Sequence, residues 1–202
     1  MQPELIFIDG TDGSGKTATR TILKTHLESE GYKVLDLPFP GHNEFGQSIR
    51  PWFINNSEPE YVKLLAILTE FALFMESVKR GNFDEYDYVI ADRFILSTVH
   101  QINLHPEYLP LASHFVNKYA IKDIPYFLLT TDPDKIHTRL HDRGELNEGD
   151  VKAMRERETT CFIDHAKNLK LGKNVYVIDN VGTLEELKEK VLLKFKVSKS
   201  FK

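Results

Sequence analysis

The sequence predicts an α/β fold of three layers, a parallel sheet covered by helices on both faces. Two observations carry that expectation. Short apolar runs of strand length alternate with longer amphipathic stretches from end to end of the 202 residues. No linker, repeat or low-complexity segment interrupts the alternation. A chain of this length builds a core without staples, as one domain. Strands separated by helical stretches pair in parallel, because each return crosses a face of the sheet.

The first strand is expected at Leu5–Ile8, followed by a helix from Ala18 to Glu30 that Gly31 stops. The second strand is expected at Lys33–Leu37. Ser57-Glu58-Pro59-Glu60 reads as a capping box with Pro in the first turn. Behind it Leu64, Ile67, Leu68, Phe71, Met75 and Val78 keep i, i+3, i+4 spacing, so this stripe should face the sheet, with Gly81 ending the helix. The third and fourth strands are expected at Tyr88–Ala91 and Pro125–Leu129. Asp132-Pro133 starts another helix, and Cys161 lies on an apolar helical face that should be core. The fifth strand is expected at Val175–Ile178, and Thr183-Leu184-Glu185-Glu186 opens the last helix. Its acidic residues lead and its lysines trail, as the helix dipole favours. Lys194, Lys196, Lys199 and Lys202 read as a solvated, fraying end rather than a nucleic-acid contact.

Composition narrows the function. Lys plus Arg is 26 and Asp plus Glu is 30, a net charge of −4, which excludes a globally basic nucleic-acid binder. Hydrophobic residues at 41% and charged residues at 28% exclude disorder. The single cysteine allows no internal disulfide and no zinc cluster, so a reducing compartment is expected. The opening MQPELIFIDG has no basic lead, and no run approaches the roughly 18 apolar residues of a membrane span. A cytoplasmic protein with no membrane partner is expected.

The strongest signal is Gly10-Thr11-Asp12-Gly13-Ser14-Gly15-Lys16-Thr17, a full G-x-x-x-x-G-K-[ST] between a candidate strand and a candidate helix. Glycines let backbone N–H groups turn inward around a polyphosphate, and the helix N-terminus adds its positive end. Lys16 then supplies a charge to the β- and γ-phosphates, and Thr17 a hydroxyl to Mg²⁺. This is a P-loop NTPase pattern. Asp92 ends the third candidate strand, where an acid takes part in holding Mg²⁺. Arg93 follows and suits a second anion or a phosphoryl group in flight. Arg139, His141 and Arg143, then Arg155 and Arg157, flank the polar segment Gly144–Asp150. Arginines around such a segment suit a lid, expected over 139–150, that closes on phosphates. His137 and His141 lack a third ligand and read as surface residues.

These residues together resemble the thymidylate kinase family of nucleoside monophosphate kinases. Phe7-Ile8-Asp9 with the loop through Thr17 resembles that family's opening, with Asp9 where Glu is usual. Phe39-Pro40 with Gly46-Gln47-Ser48-Ile49-Arg50, and Asp92-Arg93-Phe94 with Ser97-Thr98, resemble its further signatures. Thr131-Asp132-Pro133, Arg139, Arg143-Gly144-Glu145-Leu146 and Cys161-Phe162 resemble its lid and the helix after it. The resemblance implies a five-stranded parallel sheet, ATP and Mg²⁺, phosphoryl transfer to dTMP and, commonly, a homodimer. It assigns Asp12 to the transfer site, Arg93 to the acceptor phosphate, Thr98 to the neighbourhood of the base and Gln101 to the sugar.

The chain also departs from the family. A catalytic Arg that some members carry in the loop is Gly13 here, so Arg139 and Arg143 are expected to supply that charge. The positions flanking Phe39-Pro40, where the family has an acceptor-phosphate Arg, hold Pro38 and His42. A Phe and an Arg on the long helix correspond to Ile67 and Phe71. His42, Arg50, Phe39, Phe71 and Phe74 are the candidate replacements. A deoxynucleoside kinase acting on a free 5′-OH is the enzymatic alternative, although such families show Glu-Arg-Ser where Asp92-Arg93-Phe94 stands. A noncatalytic nucleotide-binding scaffold is the other. A GTPase is excluded, since Asn117-Lys118 runs into Tyr119-Ala120 and not into a guanine-reading Asp.

Overall fold

The computed structural model describes residues 1–55, 57–101, 106–142, 144 and 161–200, apart from the Gln101 side chain. Arg143, residues 145–150, Arg155 and Arg157 lie outside the described residues. Five strands, β1 (Glu4–Gly10), β2 (Val34–Pro38), β3 (Tyr88–Asp92), β4 (Tyr126–Thr130) and β5 (Val175–Asp179), form one sheet in the order β2-β3-β1-β4-β5. Every pairing is parallel. The helices are α1 (Lys16–Ser29), α2 (Glu44–Ile54), α3 (Glu60–Lys79), α4 (Ile95–Gln101), α5 (Leu109–Lys118), α6 (Pro133–Asp142), α7 (described over 161–168) and α8 (Leu184–Lys199).

The period of two in β1 divides the core. Phe7 joins the face covered by α3, α4, α5 and α7, whereas Ile6 and Ile8 join the face covered by α1 and α8. All six residues of the α3 stripe are buried on the first face. Each such side chain contributes roughly 1.5–3 kcal/mol relative to exposure. Phe7, Phe39, Phe71 and Phe94 pack there as one aromatic group, with Phe7 and Phe94 stacked at 4.0 Å between centroids.

Helix ends follow local chemistry. Gly31 and Gly81 take positive φ, and the chain closes α1 and α3 with paired turns (Tyr32 N to Leu27 O, 3.1 Å; Asn82 N to Ser77 O, 3.1 Å). Thr183 and Glu186 cap α8 reciprocally. Three expectations are corrected. Ser57 does not cap α3; the helix starts at Glu60 behind Pro59, which takes the cap position at ψ 146 with no side-chain bond. The cause is Pro59 itself, which disfavours helical backbone at Glu58. The tail does not fray at Lys199, whose ammonium is tied to Glu4 and to the Tyr88 hydroxyl (2.9 Å). Cys161 is half-buried rather than core.

At the end of β1, on the same face as Phe7, Asp9 is wholly buried. Its carboxylate accepts from Phe94 N and Ser97 N (both 3.2 Å), from the Ser97 hydroxyl and from the Tyr126 hydroxyl. Burial pushes its pKa up, against the pull of these donors. Asp9→Ala strands several buried donors at once and should lower unfolding free energy by at least about 3 kcal/mol in urea titrations. Wild-type stability in that variant would deny Asp9 its anchoring role.

Candidate active site

The site grows from the end of β1. Residues 10–15 form the loop, and α1 begins at Lys16. Lys16 is 7% exposed, and its ammonium lies inside the loop on Gly10 O (2.9 Å), Thr11 O (2.8 Å) and Asp12 Oδ1 (3.3 Å). Burial, with Arg93 nearby, pushes the Lys16 pKa down, against the pull of Asp12.

Arg93 arrives from the end of β3, the neighbouring strand. Its backbone is left-handed (φ 65), its N–H donates to Ile8 O (2.9 Å), and its guanidinium reaches Asp12. The next residue, Phe94, is held by Asp9, so a strained residue is fixed between two anchored ones. Two cations from different chain segments thus meet on one half-exposed carboxylate. Burial opposes the charge on Asp12, yet Lys16 and Arg93 outweigh it and hold the carboxyl at about 2. Burial likewise opposes the charge on Arg93, but Asp12 pushes its pKa up.

These groups line a cavity of about 370 Å³. Its other walls bring Thr17, Arg20 and Asp92 from one side and Pro38, Phe39 and Arg50 from the other. Arg20 bonds Asp92 Oδ2 (3.3 Å) and Asp36 (3.3 Å). The second oxygen, Asp92 Oδ1, is buried with no hydrogen-bond partner among the described residues. A buried hard oxygen left without a donor, sharing a wall with the Thr17 hydroxyl, fits a divalent cation held in part through water.

Of the sequence-predicted residues, the loop Gly10–Thr17, Arg93, Asp92, Phe39 and Arg50 come together around this cavity or build it. Arg50 stands exposed on its rim with Nη1 on Pro40 O (3.1 Å). Others lie elsewhere. Ile67 and Phe71 are sealed in the core at 1% and 0% exposure, behind Phe39, because the α3 stripe that carries them is the stripe that meets the sheet. Phe74 is sealed with them. The Thr98 hydroxyl turns back onto Phe94 O (3.2 Å) within the α4 region. Gln101 ends α4, and its side chain is outside the described atoms, as is Arg143. The Arg139 guanidinium is directed at backbone, to Gly13 O (3.0 Å) and Asn180 O (3.2 Å).

His42 is committed too. Its Nδ1 meets Glu70 Oε1 (3.0 Å) and its Nε2 meets Asn43 Nδ2 (3.0 Å), an arrangement that the neutral ring with its proton on Nδ1 satisfies. It therefore offers no ring N–H to an acceptor phosphate. Sequence reasoning missed Glu70, which is wholly buried and also accepts from Gly41 N (2.8 Å) and His42 N. The available signal was an acid three residues after Ile67 and four before Phe74, inside an apolar helix. Arg20 carried a signal as well, one turn after Lys16. Asn180 carried none.

Comparison with known proteins decides the family. The thymidylate kinase family model matches residues 8–191. The chain belongs to the thymidylate kinase family. It is accordingly a nucleoside monophosphate kinase. Thymidylate kinase of Fervidobacterium nodosum is 27% identical over 197 residues, covering 94% of this chain and 97% of its own. A probable thymidylate kinase of Archaeoglobus fulgidus is 28% identical over 187 residues, covering 93% and 92%. Among solved structures, thymidylate kinase from Candida albicans superposes with a TM-score of 0.67 at 17% identity, covering 100% of this chain and 94% of its own. That from Ehrlichia chaffeensis gives 0.64 at 20% identity, covering 97% and 99%. These two likenesses establish the shared fold.

The Asp12 pairing has a definite pH signature. Its folded pKa is below its unfolded value, so the pairing stabilises above about pH 4 and is lost as pH falls from about 4 toward 2. In Arg93→Ala, the Asp12 carboxyl midpoint should rise from about 2, read by carbon-detected NMR titration. An unmoved midpoint would break the Asp12–Arg93 link.

Proposed function

We propose that the protein transfers the γ-phosphoryl group of ATP to the 5′-phosphate of a pyrimidine deoxynucleoside monophosphate, dTMP giving dTDP and ADP, with dUMP or a modified pyrimidine as related acceptors. One observation carries this reading. Lys16, inside the phosphate loop, and Arg93, from the adjacent strand, converge on Asp12 in a single cavity. The site thereby offers one cation to a donor phosphate and one to an acceptor phosphate, with a single carboxylate between them.

The roles follow from placement. Loop N–H groups and Lys16 hold the donor; Thr17 and Asp92 would hold Mg²⁺, which when bound neutralises phosphate charge. Arg93 orients the acceptor, with Arg50 and Phe39 on the acceptor wall. An acceptor phosphate is already a usable nucleophile, so the chain's work is positioning and electrostatic stabilisation. A free 5′-OH needs a carboxylate base instead. Asp12, held at about 2 between two cations, is too weak a base for that alternative. We place the domain across the whole chain and the reaction in the reducing cytoplasm. We further assign a homodimer, supported by an outward apolar face of α3 at Tyr61, Val62, Leu65 and Leu73. Among the described residues no helix is long and apolar enough to cross a membrane.

Coupled ADP-release assays with dTMP, dUMP, dCMP and thymidine test the reading, with turnover expected on monophosphates. Turnover on thymidine alone would replace it with the nucleoside kinase, and ATP binding without any transfer would replace it with a scaffold. Lys16→Ala should lower kcat by at least about a hundredfold in a folded protein, by loss of charge stabilisation. Arg93→Ala should raise the monophosphate KM by about ten- to a hundredfold, the worth of a charge-assisted phosphate contact.

A further inference from the structure

The outer side of the phosphate loop is braced by two side chains from distant parts of the chain. Asn180, just past β5, donates from Nδ2 to Ser14 O (2.8 Å). Arg139, on α6, donates from Nη1 to Gly13 O (3.0 Å) and from Nη2 to Asn180 O (3.2 Å). Asn180 is 6% exposed and is itself fixed by the Thr131 hydroxyl on its carbonyl (2.6 Å) and by its N–H on Thr130 O (2.7 Å). The approach is close. A Cβ at Gly15 would stand 2.3 Å from Asn180 Nδ2, so glycine there is what lets the amide reach the loop.

In a trans peptide the C=O of one residue and the N–H of the next point in opposite directions. A carbonyl held outward at Gly13 therefore turns the Ser14 N–H inward, and one held outward at Ser14 turns the Gly15 N–H inward. For Ser14 the inward N–H closes the loop's own turn. Ser14 N–H is aimed at Thr11 O (3.2 Å), the same oxygen on which the Lys16 ammonium sits.

We propose that Asn180 and Arg139 are positioning residues of the donor site, which hold the Ser14 and Gly13 carbonyls outward and so keep the Ser14 N–H in the loop's own turn on Thr11 O and the Gly15 N–H turned toward the donor polyphosphate. This rests on the donor-site reading above. It moves Arg139 from neutralising the transferring group to setting the backbone that receives the donor. The brace acts before any acceptor arrives, and on ATP alone.

The test is ATP binding by calorimetry without acceptor, beside steady-state KM values for ATP and dTMP and melting temperatures without ligand. Asn180→Ala should weaken ATP binding about three- to tenfold, the worth of a lost neutral hydrogen bond, and Arg139→Ala about ten- to a hundredfold, since its bonds are charge-assisted, while the dTMP KM stays within about twofold. Asn180→Asp should weaken ATP more than Asn180→Ala does, because a carboxylate oxygen then faces the Ser14 carbonyl. Should Asn180→Ala fail to fold, half-buried Arg139→Ala carries the test. Wild-type ATP affinity in the folded variants overturns the proposal. So does an Arg139→Ala that loses kcat with ATP affinity unchanged, which returns Arg139 to the transferring group. Wild-type protein that binds no ATP overturns the donor-site reading itself, a distinguishable result.

Discussion

The site depends on the buried carboxylate of Asp9. It ends the apolar part of the central strand and immediately precedes Gly10, the first residue of the phosphate loop. From there it gathers two backbone N–H groups and a hydroxyl from the segment after β3, and a hydroxyl from β4. Charge-assisted bonds of this kind are worth about twice neutral ones, and they offset part of the cost of burying the charge, which still leaves the carboxyl raised. The geometric effect is larger than the energetic one. The phosphate loop and the Arg93 segment are both indexed to one carboxylate, so the distance between the two phosphate-facing cations does not rest on flexible side chains alone.

The fold was largely legible in the sequence. The five strands fall within a residue or two of their expected places, because parallel strands buried on both faces stand out as apolar runs. The donor loop was legible because its residues are contiguous and glycine-marked. The acceptor wall was not. Phe71 and Ile67 have the residue types of a base-binding surface and of a core stripe alike, and only the packing of α3 distinguishes them. Asn180 was illegible for another reason. It reaches the loop because β5 runs parallel two strands from β1 and ends at the same level, a relation that lies in sheet order and not in local sequence.

The acceptor side was expected to depart from the family pattern at His42, and the structure shows what His42 touches instead. Glu70 sits wholly inside, and the turn through Gly41 and His42 folds over it to supply three donors. His42 is thereby part of a network that continues through Asn43, whose side chain caps α2 on Gly46 N (2.7 Å). A histidine that looked like a phosphate ligand is a structural strut. The cations left on the cavity wall among the described residues are Lys16, Arg20, Arg50 and Arg93, and Arg20 is shared between Asp36 and Asp92.

The alternation along β1 has an evolutionary consequence. Ile6 and Ile8 serve one core, while Phe7 and Asp9 serve the other. Gain or loss of a single residue between Glu4 and Gly10 would exchange the two sets and carry the carboxylate to the wrong side. The central strand therefore behaves as a ruler of fixed length. Indels among descendants of this architecture have to accumulate elsewhere, in the turns joining helices to the outer strands, where a change of length moves neither the hydrophobic layers nor the distance from strand to phosphate loop.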